Sequence, residues 1–391
     1  MTTCTEFDVV VAGSGPAGIA AAITLARKGR RALVLEKRQV ARFNVAETIA
    51  PAAKGVVEGY LGSLDGDLPD WAAKNRGNIS VWGDHRAFTH DNFFSPYGDG
   101  ICVKRDGFDQ ALRQAARSLG VTLWRGASVA GADRNRTNSF WTIAVEGAGR
   151  EPCRIRCSYL IDATGRAGAL GKLLGIDRDR GDPLIAFALR FIPAAPGVPG
   201  PDGFTRVEAT PHGWWYSNRI PGAADDRVAV LHCDQGLPQA KQAATQSGFL
   251  TLLARTQLTG PFLFTQGYRP AGRVRGAAAG GARAAACTTP GFLAVGDAAQ
   301  AFDPLSSQGL HRALQSGGMA GQALLYALAN PDDPQPFLAR YAQQMQRIWE
   351  TYAAEHGKYY AMEGRWPEQP FWRNRQSAPV HSPPIKARDF L

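Results

Sequence analysis

Apolar and polar positions sort the start of the chain into regular elements before any motif is considered. The run Phe7-Asp-Val-Val-Val-Ala12 has the length and apolar density of a buried strand. Residues 17–28 are alanine-rich and repeat at helical period, and Ala32-Leu-Val-Leu-Glu36 is a second apolar strand. Together they predict a strand-helix-strand unit. Residues 43–61 predict a helix and loop, and residues 79–89 alternate in short segments that suit strands of a different sheet. Helical period returns at 106–119, with Asp106 as N-cap and Gly120 as C-cap. Strand-like stretches at 121–124, 140–145 and 155–161 then lead into Asp162-Ala-Thr-Gly165.

From about residue 184 to 231 Pro and Gly break the pattern into short strands, including a proline-rich loop at 192–201. A helix near 239–255 and further strands complete what the pattern predicts to be a second, antiparallel-sheet domain. The Gly/Ala/Arg tract 272–286 is expected to link back to the first domain at Gly291-Phe-Leu-Ala-Val-Gly-Asp297. Helices at about 307–329 and 336–362 close the fold, and the tail beyond Gln376 is expected to be loosely ordered.

With 391 residues the chain exceeds what one small core organises, which favours interleaved subdomains. Hydrophobic residues are 45% and charged residues 20%, and no apolar run approaches the roughly 18 residues of a membrane span. The opening segment also lacks the basic start and cleavage site of a signal peptide, so a cytoplasmic, soluble protein with no membrane partner is expected. Six scattered cysteines suit buried structural thiols in a reducing compartment. The net charge of +10 is spread along the chain without a like-charged run, which argues against nucleic acid and leaves a phosphate-bearing cofactor, an anionic substrate or an acidic partner.

Candidate chemistry begins at Gly13-Ser-Gly15-Pro16-Ala17-Gly18, a G-x-G-x-x-G between strand and helix. Its glycines permit the tight turn and let backbone amides approach a pyrophosphate at the helix N-terminus. Glu36 ends the next strand, where a carboxylate accepts from ribose hydroxyls and repels a 2′-phosphate. Three later segments select the dinucleotide. Arg105-Asp-Gly-Phe108-Asp109-Gln-Ala-Leu112 resembles the R-x-x-F-D-x-x-L helix start of flavoprotein monooxygenases, and Asp162-Ala-Thr-Gly165 resembles their FAD-closing loop. Gly296-Asp297 followed by Pro304 matches their G-D-x6-P pattern, in which the aspartate binds the ribityl chain.

Within that superfamily the chain looks most like the branch of flavin-dependent halogenases and of hydroxylases that modify tryptophan in peptides or proteins, including those serving tryptophylquinone formation. Gly213-Trp-Trp-Tyr-Ser-Asn-Arg-Ile-Pro221, Asp303-Pro-Leu-Ser-Ser-Gln-Gly309 and Glu363-Gly-Arg-Trp-Pro-Glu-Gln-Pro-Phe-Trp-Arg-Asn-Arg375 carry this likeness. The resemblance implies an α/β fold: a glutathione-reductase-type FAD-binding Rossmann domain, an interleaved antiparallel-sheet substrate domain and a helical C-terminal segment. The FAD-binding parts are expected at 1–78, 101–183 and 285–330, the substrate domain at 79–100 and 184–284, and the C-terminal segment at 331–391. It further implies FAD contacts from Gly13, Gly15, Pro16, Ala17, Gly18, Glu36, Lys37, Arg105, Val129, Asp162, Gly165, Gly296, Asp297, Pro304, Gln308, Gly309 and Leu310. With only one dinucleotide fingerprint, electrons are expected from transiently bound NAD(P)H or from a separate flavin reductase.

Two halogenase features are altered. The W-x-W-x-I-P signature falls on Tyr216-Ser-Asn218-Arg-Ile220-Pro221, and the glutamate of D-P-L-E-S-T-G is Ser306. Lys74 and Lys54 are the candidates for a halogenase lysine. The expected activity is therefore a monooxygenase acting through a C4a-hydroperoxyflavin on an aromatic ring. Its substrate is an indole as a small molecule or as tryptophan in a peptide or protein. Metal ligands are not expected. Base candidates are His311 and Glu47, and Trp214, Tyr216 and Ser306 are expected to line the substrate cavity. Alternation sends Trp214 and Tyr216 to one sheet face and Trp215 to the other. A peptide modifier is expected to hold open a groove between this sheet and the C-terminal helices. The alternatives are a halogenase, a two-electron flavin reductase or dehydrogenase, and, last, a flavin-binding assembly factor.

Overall fold

The computed structural model describes residues 5–38, 46–64, 66–135, 140–147, 149, 151–195, 202–222 and 225–376. The apolar run at the N-terminus becomes the strand Thr5–Ala12, in which Val9, Val10 and Val11 are fully buried. It lies between parallel neighbours on both edges, Ala32–Glu36 and Cys153–Asp162. Phe292–Ala294 extends the parallel sheet beyond the second, and Thr122–Arg125 beyond the first. A parallel sheet needs cover on its faces. Part of that cover is the helix Pro16–Ala26 crossed by Gly309–Ala329, where Gly317 is so close that a Cβ would stand 2.0 Å from the Ala17 carbonyl oxygen.

The second layer is a seven-stranded sheet in the order Tyr268–Ala278, Leu184–Pro193, Arg227–Asp234, Gly213–Arg219, Phe204–Thr210, Gly77–Val81 and Phe88–Asp91. All its pairs are antiparallel except Phe204–Thr210 with Gly77–Val81. A small three-stranded sheet, Glu47–Ile49, Gly100–Val103 and Ala72–Asn75, joins the two layers. The fold is thus a Rossmann-type α/β domain with an interleaved antiparallel sheet and a helical C-terminal segment.

Several local expectations need correction. Within 43–61, residues 47–49 are a strand and only Lys54–Leu61 is α-helix; positions 43–45 lie outside the described residues. The helix expected from 106 begins at Arg105 without a side-chain cap, so Asp106 sits in its first turn. The tract 272–286 is largely not a linker, since Tyr268–Ala278 pairs with Leu184–Pro193 as an edge strand. The helix expected at 239–255 is cut at Thr245, whose hydroxyl accepts from Gly248 N–H at 3.2 Å and starts a new helix, Gln246–Leu253. The helix placed from 307 begins at Gly309, because Ser307 adopts φ +49°. The tail beyond Gln376 and much of the loop at 192–201 lie outside the described residues. All five described cysteines are free.

Alternation on Gly213–Arg219 is as expected. Trp215 faces the helices, edge-on to Phe249 at 5.0 Å, while Trp214 faces the C-terminal segment. There Trp214 stacks on His232 at 3.6 Å, its Nε1 donates to Tyr360 Oη at 3.0 Å, and Trp82, Phe371 and Trp372 complete the cluster. The space expected to hold an open groove is therefore an aromatic core, and Trp214 is buried in it instead of lining a cavity.

Burial holds the His232 imidazole neutral, down to about 3 from 6.5. The unfolded chain takes up this proton more readily, so the stabilisation is complete above about pH 6.5 and is lost as pH falls towards 3. Denaturant unfolding across that window should show stability declining with acid in the unaltered chain. A His232→Leu chain should show a shallower decline.

Candidate active site

The first helix starts at Pro16 with Gly15 as its N-cap. Each glycine of the motif has a separate reason. Gly13 lies at φ +112°, and a Cβ there would meet the Ala163 carbonyl oxygen at 2.2 Å. A Cβ on Gly18 would strike the Gly13 carbonyl oxygen at the same distance. Gly15 meets nothing within 4 Å, so the space beside the helix start is unobstructed, as a pyrophosphate cradle requires. Ala17 closes the turn from beneath: a Cβ on Gly296, at φ +54°, would come 2.7 Å from its methyl. The motif is thus locked against both Asp162–Gly165 and Gly296–Ala298.

Glu36 accepts from Ser14 N–H at 3.0 Å and Ser14 Oγ at 2.8 Å, and from Arg38 N–H at 2.9 Å. This carboxylate stands at the edge of the glycine turn, with Lys37 exposed just beyond it. Asp297 is partly exposed, with Arg166 Nε 3.5 Å from its Oδ2. Burial raises the Asp297 carboxyl above its ordinary range, and Arg166 opposes the shift. The turn beneath it is held by Arg178, whose guanidinium donates to the Asp297 carbonyl at 2.8 Å and to that of Ala298. Arg166 also reaches the carbonyls of Gly280 at 2.5 Å and Phe302 at 2.8 Å, which ties this turn to the end of the seven-stranded sheet's edge strand Tyr268–Ala278. Neither arginine was expected, because no motif spacing connects them to the segments they hold.

Arg105 begins its helix and pairs with Glu47 and, at 3.2 Å, with Asp109. Burial alone would lower this guanidinium, but Glu47 and Asp109 carry it above its ordinary value. Glu47 is therefore engaged in an ion pair on a strand, which leaves it poorly placed to accept a substrate proton. His311 is half-buried in the first turn of Gly309–Ala329, and burial, then Arg312, lowers its pKa. It is neutral near pH 7, and among the described residues no hydrogen bond of its ring identifies a role.

The remaining expected residues are placed unequally. The Asp162 carboxylate points away, accepting from Thr164 N–H and Oγ1 at 2.9 and 2.6 Å and from Gly171 N–H at 2.7 Å. It shapes the loop instead of offering a ligand atom. Gly165 is open at φ +71°, and Gly309 is likewise unobstructed at the start of its helix. Pro304 is exposed, Leu310 is buried, and Gln308 accepts from Arg312 Nε at 3.0 Å. Val129 is half-buried against the core in Ala127–Asn135. The Ser306 side chain lies outside the described residues.

Behind Glu47 a polar knot joins the small three-stranded sheet to the seven-stranded sheet. Thr48 Oγ1 lies 3.1 Å from Thr205 Oγ1 and 3.3 Å from Tyr216 Oη, and Asn218 Nδ2 donates to Thr48 Oγ1 and to Tyr216 Oη at 2.8 Å each. Cys102 Sγ donates to Asn218 Oδ1 at 3.0 Å. Tyr216 is thus the residue of the aromatic strand that reaches Thr48, next to Glu47.

The glycine cradle, the Glu36 carboxylate and the Asp297 turn fit FAD, and comparison with known proteins agrees. The tryptophan halogenase family model matches residues 100–389. The chain belongs to that family. The FAD dependent oxidoreductase model matches residues 8–186. The putative FAD-dependent oxidoreductase LodB of Marinomonas mediterranea is 26% identical over 95% of this chain and 97% of its own. Among solved structures, the flavin-dependent halogenase CmlS superposes with a TM-score of 0.82 at 24% identity, over 97% of this chain and 68% of that one. QhpG, described as a peptidyl tryptophan dihydroxylase essential for tryptophylquinone cofactor biogenesis, gives 0.75 at 24%, over 97% and 80%. Among the described residues no helix is long and apolar enough to cross a membrane.

Replacing Gly15 by Val should separate binding from folding. Its φ of −72° and open surroundings accommodate the side chain, so apo stability should change by less than about 1 kcal/mol. FAD affinity, followed by quenching of flavin fluorescence, should fall by roughly 100-fold as backbone approach is blocked.

Proposed function

We infer that this flavoprotein inserts one oxygen atom from O2 into an aromatic ring, an indole fitting best. The observation that carries this reading is Tyr216 and Asn218 at the two positions where halogenases carry tryptophan, both bound to Thr48 in one hydrogen-bond knot. Lys74, which a halogenase would need in a sealed channel, is exposed on Ala72–Asn75, and Lys54 starts the helix that follows Pro51–Ala53.

Cross-strand rows on the substrate sheet support an aromatic guest. One row is Ala186, His232, Trp214 and Ala209, capped by the C-terminal aromatics. The next is Ala188, Val230, Tyr216 and Val207, with Ala46 and Val228 beside it. Ala188 and Val230 in this row are small, apolar and buried with Ala46 and Val228, and Arg190 and Asn218 follow in the next row.

FAD, when bound, supplies the electrons and the activated oxygen; the protein's tasks are to orient the ring and exclude water. An indole reacts without being deprotonated, whereas a phenol gains from a general base. That difference favours indole here, because one base candidate, Glu47, is paired with Arg105. The electron donor in this reading is transient NAD(P)H or a separate flavin reductase.

The test supplies purified protein with FAD, NAD(P)H and a flavin reductase, then offers indole and a tryptophan-containing peptide under ordinary or heavy-isotope oxygen gas. The reading predicts a product heavier by one oxygen atom, with the label drawn from the gas. Label drawn from water, or turnover without oxygen uptake, would favour a reductase or dehydrogenase.

A further inference from the structure

The long helix Gln335–Ala361 carries Tyr352, His356 and Tyr360 four residues apart on one face, and all three reach Asp303. Tyr352 Oη accepts from Asp303 N–H at 2.9 Å. His356 Nε2 lies 3.2 Å from Asp303 Oδ2, and Tyr360 Oη donates to the same oxygen at 2.9 Å. The other carboxylate oxygen, Oδ1, accepts from Leu305 N–H at 2.8 Å and so caps the turn Pro304–Ser306. Ser307, at φ +49°, then redirects the chain into the helix Gly309–Ala329. The Asp303 side chain is fully buried. One oxygen therefore carries the turn in front of the flavin groove, and the other carries the C-terminal helix.

The geometry points to His356 as a positioning residue: through Asp303 it fixes the 304–308 turn, and with it the direction in which the Gly309–Ala329 helix presents its N-terminal amides to the flavin. This rests on the FAD reading above. A helix N-terminus acts on a developing negative charge over a short range and with a definite direction, so a shift of the turn changes how strongly a reduced, anionic flavin is favoured. Removing the half-buried His356 donor from a desolvated carboxylate supplies the disturbance. Asp182 lies within the same cluster, its ligand atom within 4.8 Å of those of Asp303 and His356, which has the outline of a cation site. Arg375 already provides its counter-charge at 2.7 Å, and pairs with Asp234 at 2.6 Å, so the cluster works as a junction between the C-terminal segment and the turn.

The experiment compares the full-length unaltered chain with His356→Ala and His356→Gln. Dissociation constants are measured for oxidised FAD and, under anaerobic conditions, for reduced FAD, alongside thermal unfolding of each apo protein. His356→Ala should lower the preference for reduced over oxidised FAD by roughly five- to ten-fold. His356→Gln keeps an N–H donor at similar reach and should recover most of that preference. Tyr360→Phe, which removes one hydroxyl from the same carboxylate oxygen, should shift the ratio in the same direction and serves should His356→Ala fail to fold. An equal weakening for both redox states, or an unchanged ratio, would overturn this inference while leaving the FAD reading intact. No FAD binding by the unaltered chain would overturn both.

Discussion

Gly13 lies so close to the loop after the strand Cys153–Asp162 that a methyl group on its α-carbon would stand 2.2 Å from the Ala163 carbonyl oxygen. The same constraint recurs at Gly18 against Gly13 and at Gly296 against Ala17. Segments separated by some of the longest stretches of this chain meet only because these positions lack side chains. Their meeting leaves the space beside the first helix's start unobstructed at Gly15, with Glu36 at one side and Asp297 at the other. The flavin site is therefore a consequence of close backbone packing more than of any single ligating group.

Charge organises what packing brings together. Arg166 and Arg178 hold the carbonyls around the Asp297 turn, Arg105 holds Glu47 and Asp109, and Arg375 holds Asp182 and Asp234. Part of the chain's positive balance is thus spent inside the fold on carbonyls and carboxylates, which weakens the case for reading +10 as a docking signal. The arginines also link layers. Arg166 joins the Gly296–Ala298 turn to Gly280 near the seven-stranded sheet, and Arg375 pins the last described helix to Asp234 at the end of one of that sheet's strands.

The glycine motif and Glu36 were legible in the sequence because their demands are local: a backbone angle, an unobstructed amide, a carboxylate at a strand end. Tyr216 and Trp215 were placed on opposite faces by period alone. What covers each face was not legible, since Trp214 meets Tyr360, which is 146 residues away, and Thr48 meets Thr205 across 157. The strand Glu47–Ile49 is too short to show a period, and its assignment to a helix misread the setting of Glu47. The Tyr352, His356 and Tyr360 stripe did carry a signal in its four-residue spacing, but nothing in sequence indicated that its partner would be Asp303.

In the proposed reading, the flavin chemistry found in halogenase-like folds is directed here to oxygen insertion, with Tyr216 and Asn218 marking the change. Its most direct test is product mass from a reaction with saturating bromide present throughout, using FAD, a flavin reductase, NAD(P)H and indole or a tryptophan-containing peptide. Oxygen insertion predicts a product heavier by one oxygen atom whether or not bromide is present. A product carrying the paired isotope signal of bromine, appearing only with bromide, would contradict it.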